Sequence, residues 1–230
     1  IKNVCVHKGL FPPGIEKQYP NLRGFADVAD VGQAAKDWPQ LNFVIYHSAY
    51  RHVGGDPRVA LAEFERTGRI AWTSDLADIP AQYGVNNVYG DVGQLFATTL
   101  VAEPNVCAAL MGTLIKGLGA DHVVWGTDAL WTGAPQWQIE GLRRLEIPEM
   151  MQKKFGYAPL GPADGPVKTA IFGDNNARLY NIQPKRAMLD LKGDRFAMMK
   201  AQYEKAGPEP SNTRYGYVVP NGVIDHRVFV

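Results

Sequence analysis

Cysteine is scarce: the 230-residue chain has two, Cys5 and Cys107. Their spacing fits neither a metal-binding nor a redox motif. Both are expected as buried small hydrophobes, which favours a reducing, cytoplasmic compartment. An export signal upstream of Ile1 would leave no trace in this stretch. No run of Lys or Arg stands out, and the net charge is +1, so the basic stripe of a nucleic-acid surface is missing. No apolar run is long enough to cross a bilayer. Histidine is rare too, with five in all, and no His-x-His occurs anywhere. What remains, 46% hydrophobic and 20% charged residues, is the composition of a soluble globular protein.

The patterning alternates strand and helix. Strands are expected at Asn3–His7, Asn42–His47, Asn87–Val92 and Val123–Asp128. Helices are expected at Asp27–Trp38, stopped before Pro39, and from Asp56-Pro57, an N-cap acid with Pro at the first position. Further helices fall after Pro104, at Gln136–Leu145 and Glu149–Lys154, and at Val167–Phe172 and Asp174–Tyr180 around Gly173. The apolar face Val106, Ala109, Leu110, Leu114 and Leu118 has helical spacing. Leu10–Gly24 reads as a Pro/Gly-rich loop, and Ile70–Thr73 as an ambiguous end of its unit. From Pro184 a helix through Lys205 and an irregular tail form a separate C-terminal extension, residues 184–230.

Such alternation argues for an α/β fold with parallel strands and right-handed crossovers. A (β/α)8 barrel closes with eight strands and typically about 250 residues. The expectation is therefore that residues 1–183 form the second half of a TIM-type barrel, about four β/α units, with the first half upstream of Ile1. A small open α/β sheet is the alternative.

Three of the strands end on a residue able to bind a metal or move a proton: His7, His47 and Asp128. In barrels of this kind the active site lies at the C-terminal strand ends. A His, a His and an Asp converging there can hold a divalent cation and activate water. Singly, each has a plainer reading, as a hydrogen-bonded strand cap or turn residue. Strand alternation would put Cys5 on the side of His7, Phe43 and Ile45 on the side of His47, and Val124 and Gly126 on the side of Asp128. Gly126 would leave room near the barrel centre. Asp91 either orients a ligand histidine or is a turn acid. Arg51 offers a planar fork for a substrate carboxylate, or a surface ion pair. Trp131 and Trp137 either wall the site or cover the rim. His52 reads as a loop residue at the site face, and His122 and His226 as structural.

The segments Val6-His7-Lys8-Gly9, Asn42-Phe43-Val44-Ile45-Tyr46-His47, Trp125-Gly126-Thr127-Asp128 and Phe172-Gly173-Asp174-Asn175-Asn176-Ala177-Arg178-Leu179-Tyr180-Asn181-Ile182 together resemble the amidohydrolase-related family. That branch of the amidohydrolase superfamily includes aminocarboxymuconate semialdehyde decarboxylase. The resemblance runs from Asn3 to about Ile182 and implies a distorted barrel with one divalent metal, usually zinc. It implies His7 as a fifth-strand metal ligand, His47 as the sixth-strand acid/base, and Asp128 as an eighth-strand ligand that also contacts the activated water. The family's first-strand His-x-His is missing from this chain, as the half-barrel expectation requires.

The expected function is a metal-dependent hydrolase acting on a small, carboxylated or aromatic substrate. Arg51 and Trp131 are the expected substrate contacts, and a homodimer is the expected full-length assembly. A non-oxidative decarboxylase using the same parts is the alternative enzyme. An inactive half-barrel or interaction module is the alternative outside catalysis.

Overall fold

The structure, a computed structural model, describes residues 2–52, 56–129, 131–183 and 194–207. By its internal contacts the chain divides into two units, Ile1–Pro184 and Lys185–Val230. The first opens with β1 (Asn3–His7), the short helices α1 (Pro13–Gln18) and α2 (Arg23–Ala26), then α3 (Val31–Asp37) and β2 (Asn42–Tyr46). It continues through α4 (Pro57–Thr67), α5 (Thr73–Tyr83), β3 (Val88–Asp91), α6 (Gly93–Leu100), α7 (Pro104–Leu118) and β4 (Val123–Val124). The helices α8 (Gln136–Arg144), α9 (Glu149–Phe155), α10 (Pro166–Thr169) and α11 (Asn175–Leu179) complete it. In the second unit α12 (Arg195–Lys205) is capped by Asp194, whose carboxylate accepts the Ala197 N–H at 2.8 Å. The expected helix start at Pro184, the tail and His226 lie outside the described residues.

The four strands form one parallel sheet in the order β1-β2-β3-β4. Each strand therefore lies beside its sequence neighbour, as in an arc of a barrel; a doubly wound sheet reverses its order part-way. The register pairs His7 with Tyr46, Ile45 with Gly90, and Asp91 with Val124. On one face Phe43, Ile45, Val88 and Val123 enter the main core with Val4 and Val6. Helix α7 is the centre of that core. Ten of its residues, including Leu110, Met111 and Leu114, are buried, so it is covered nearly all round, chiefly by α5. The opposite face carries a small cluster of Val44, Tyr89, Val124 and Leu179, with Tyr46 against it.

Several elements differ from expectation. The segment Leu10–Gly24 is not one loop, because Pro12 and Pro13 start a short helical turn. The helix expected from Asp27 starts at Val31, since the Asp27 carboxylate accepts the Ala29 N–H at 3.1 Å and bends the chain first. Ile70–Thr73 leads into α5 instead of ending a unit, with the Asp75 carboxylate accepting the Trp72 N–H at 3.2 Å. The strand expected to reach Asp128 pairs only at Val123 and Val124, because the Trp125 N–H donates to Ile171 O at 3.1 Å and leaves the ladder. Gly173 does not interrupt the closing helix; the turn widens over Ala170–Asp174 and runs on into α11. Cys5 is exposed, on the less covered face of the sheet, whereas Cys107 is buried as expected.

The turn after β1 depends on Gly9. Its φ is +85°, and a Cβ there would lie 2.6 Å from the Ala49 carbonyl carbon. Gly84 also has a positive φ, +67°, but open space around it. Gly84→Ala is therefore expected to lose about 1 kcal/mol, the left-handed penalty alone. Gly9→Ala should lose at least about 2 kcal/mol, because the backbone must also shift. Urea unfolding of both variants measures the difference; equal losses would contradict the close packing at Gly9.

Candidate active site at the strand ends

The structure brings His7, His47, Asp91 and Asp128 to one end of the sheet. His7 ends β1 and is exposed, with its ring centroid 5.1 Å from that of His47. The ring of Tyr46 meets His7 edge-on at 4.9 Å. His47 and Asp91 are buried, and Asp128 is half-buried.

His47 reaches this end by a route that simple alternation misses. Phe43 and Ile45 face the helices, while Val44 and Tyr46 lie on the other face, among the cluster with Val124. Continued alternation would send His47 into the helix layer. The chain turns instead: His47, Ser48 and Ala49 have φ of 57°, 45° and 55°. Three successive non-glycine residues in the left-handed region cost roughly 1–2 kcal/mol each, so other contacts must impose the turn. They are visible. The Asp91 carboxylate accepts the His47 N–H at 3.3 Å, Ser48 Oγ donates to Asp91 O at 2.8 Å, and Thr73 Oγ1 donates to Ser48 O at 3.1 Å. Gly93 makes room, since a Cβ there would lie 2.7 Å from Asp91 Oδ1 and 2.8 Å from His47 Nδ1. The His47 ring is held as well, by the Gln94 N–H donating to Nδ1 at 3.1 Å.

The groups feel one another electrically. Burial lowers the His47 pKa below the ordinary imidazole value; nearby Asp128 opposes the shift and His7 adds to it. Burial pushes Asp91 up to about 6, although the His47 and Gly93 amides hydrogen-bond to it. The space expected beside Gly126 is taken by Asp91, whose carboxylate a Cβ at residue 126 would strike. On the same face Tyr46, beside Cys5, has its pKa raised to about 12 by hydrogen bonding to the thiol and by burial. Sequence reasoning missed Tyr46. The pairing of residue 7 with residue 46 signals it, because paired residues in a sheet share a face.

The other candidates have partners of their own. The Arg51 guanidinium pairs with Glu16, donates to Phe11 O at 3.2 Å and stacks 5.1 Å from the Trp72 ring. His52 is buried with Nε2 3.8 Å from Glu63. His122 bonds Asp121 and, through Nε2, Asn86 O at 2.8 Å, on the sheet's opposite end. Trp131 is 89% exposed. Among the described residues no group of three or more His, Cys, Asp or Glu side chains is placed to hold a metal ion. His7 and Asp128 are an imidazole and a carboxylate of the kind catalytic zinc takes, but a catalytic zinc takes three protein ligands. This donor set fits a metal only with help from outside the described residues.

The family model for amidohydrolases matches residues 6–182. The chain belongs to the amidohydrolase family. No curated protein matches it. Among solved structures it is similar to 5-carboxyvanillate decarboxylase from Sphingomonas paucimobilis, at 16% identity and a TM-score of 0.39, over 78% of this chain and 49% of that one. It is also similar to a dihydroxybenzoic acid decarboxylase from Polaromonas sp. JS666, solved with manganese and 2-nitroresorcinol, at 14% identity and a TM-score of 0.35, over 77% and 49%. The chain thus spans about half the length of these solved structures.

Proposed function

We propose that this chain carries the catalytic end of a metal-dependent hydrolase acting on a small carboxylated or aromatic substrate. The observation that carries the proposal is the convergence of His7, His47 and Asp128 at one sheet end, with a strained turn spent on placing His47. The sheet is proposed as one arc of a (β/α)8 barrel, supported by its sequential strand order.

His7 and Asp128 would hold a divalent cation, zinc by the chemistry of the donors, together with donors outside the described residues. Such an ion acidifies a water molecule towards neutrality. Half-buried Asp128 and neighbouring His47 are the proposed catalytic residues, His47 as the acid/base. Trp131 and, if it exchanges Glu16 for a substrate carboxylate, Arg51 are the proposed substrate contacts. The expected full-length assembly is a homodimer.

Elemental analysis of the full-length protein tests the ligand assignment. His7→Ala and Asp128→Ala should each lower the bound metal severalfold, while His52→Ala should not. Unchanged metal in both of the first two variants would remove the assignment. Incubation with a panel of aromatic and carboxylated amides and esters tests the reaction. Carbon dioxide release from carboxylated compounds, without hydrolysis, would replace the hydrolase by the non-oxidative decarboxylase.

A further inference from the structure

On the helix side of the sheet, α4, α5, α7 and α9 leave a cavity of about 680 Å³ between them. That volume is in the range of pockets that hold small organic molecules. None of His7, His47, Asp91 and Asp128 lines it. Small residues make the room: Gly68, where α4 ends, Ala77 and Ala81 on α5, and Gly117 on α7. A Cβ on Gly117 would strike the Ala77 carbonyl, so α5 and α7 meet backbone to backbone beside the cavity and hold its wall in place. The half-buried Phe155 ring is an apolar wall, with its centroid 4.5 Å from that of Phe64 and 5.6 Å from that of Tyr157.

The buried lining is polar at one point. Thr113 and Tyr157 are both buried, with their hydroxyl oxygens 2.7 Å apart. Two hydroxyls carry two protons, and the bond between them uses one. The other has no acceptor among the described residues and is left for an oxygen atom inside the cavity. The Tyr157 phenol stays protonated, because burial raises its pKa.

The rim is cationic. Arg66, Arg69, Lys116 and Lys154 line the cavity against the carboxylates of Glu65 and Asp78. Asp78 is taken up by Arg69, whose guanidinium donates to it and to Asp75 at 2.8 Å each. Helices α4 and α9 both end here, and free terminal carbonyls would oppose an anion. These carbonyls are covered. Lys116 Nζ donates to Phe155 O at 2.7 Å, the Gly68 N–H to Phe64 O at 2.7 Å, and the Thr67 hydroxyl to Glu63 O at 2.7 Å. Lys116 keeps two further N–H protons. The Lys154 ammonium lies 5.0 Å from the centroid of the Phe155 ring, and Arg66 is exposed with no ion-pair partner among the described residues. Three cations thus face one carboxylate, Glu65, beside an apolar wall and a hydroxyl donor.

We infer that this cavity binds a small organic anion with an aromatic body: Arg66, Lys116 and Lys154 take the anionic head, and the body lies against Phe155. The site is separate from the strand ends and does not rest on the reaction proposed for them.

Phenyl phosphate is the probe, one ring with a phosphate that is mostly dianionic at about pH 7.5. Calorimetric titration into the full-length protein at that pH should show binding; none would overturn the site. The double variant Arg66→Glu/Lys154→Glu reverses two exposed charges and should bind at least about tenfold more weakly, the loss of a charged hydrogen bond. Lys153→Glu, a reversal on α9 that does not line the cavity, should leave the affinity within about twofold, because exposed charges outside a site are screened. Weakening by Lys153→Glu as large as by the double variant would reduce the effect to general surface charge and overturn the site. Benzyl alcohol and inorganic phosphate should each bind at least about tenfold more weakly than phenyl phosphate. Equal binding of the alcohol would remove the anionic head from the inference, and equal binding of inorganic phosphate the aromatic body. His7→Ala and Asp128→Ala should bind the probe as the wild type does. Loss in those two, with binding kept in the double variant, would place the anion at the strand ends and overturn the inference while leaving the proposed active site standing.

Discussion

His47→Ala should lose about 10²–10⁴-fold in kcat, the loss typical of removing a general acid-base residue. The metal content should stay at the wild-type level, because the His47 Nδ1 lone pair faces the Gln94 amide. His47→Gln is the informative partner. Glutamine carries an amide N–H close to the position of imidazole Nε2 but cannot exchange protons near neutral pH. Recovery of at least about tenfold in Gln over Ala would make His47 a hydrogen-bond donor instead. A base role predicts that Gln and Ala are equally poor. Rates are compared on the full-length protein with whichever substrate it turns over. Stoichiometric loss of metal in either variant would make His47 a ligand and end the division of labour between His7, Asp128 and His47. Full activity in His47→Ala would end the strand-end site altogether.

Much of this site was legible because strand ends are legible. Short β-branched and aromatic runs closing on His7 and His47, and the Gly-Thr-Asp ending at Asp128, mark the C-terminal edge of a parallel sheet without any knowledge of packing. The turn at His47–Ala49 was not legible. Of His-Ser-Ala only His is enriched in the left-handed region, and Ser and Ala do not favour it. The conformation is imposed by Asp91, Thr73 and the glycines at 9 and 93, which are far away in sequence. The face of β2 was misassigned for the same reason: alternation was counted backwards from His47, a residue already outside the strand. Helix α5 was hidden by Pro80 and by the polar start Thr-Ser-Asp, although Pro80 does not prevent the helix from reaching Tyr83. The fate of Asp91 was ambiguous, since a strand-end acid followed by Val-Gly reads equally as a turn. Only burial, together with the amides that converge on it, distinguishes the two.

Native protein should react with a thiol reagent at one site per chain, and unfolded protein at two. Cys5 is exposed, 3.6 Å from the Tyr180 hydroxyl, on the sheet face away from the main core. Cys107 is fully buried in α7, and burial pushes its thiol up to about 12, so its thiolate is rare as well as enclosed. The fast phase should vanish in Cys5→Ala and persist in Cys107→Ala; the slow phase should follow the rate of global unfolding. The same label reports how the sheet is used. Parallel sheets are covered on both faces, and strand edges are normally paired or protected. Here β1 is an edge strand and Cys5 and His7 are exposed on its uncovered side. The 230-residue chain studied alone should therefore self-associate, and Cys5 labelling should slow as protein concentration rises, with a matching shift in sedimentation. Were the sheet closed into the proposed barrel, Cys5 would be protected at every concentration. A monodisperse monomer that unfolds sharply and labels Cys5 at a concentration-independent rate would instead make the sheet an open one. His7 and Asp128 would then stand on a line and not around a ring.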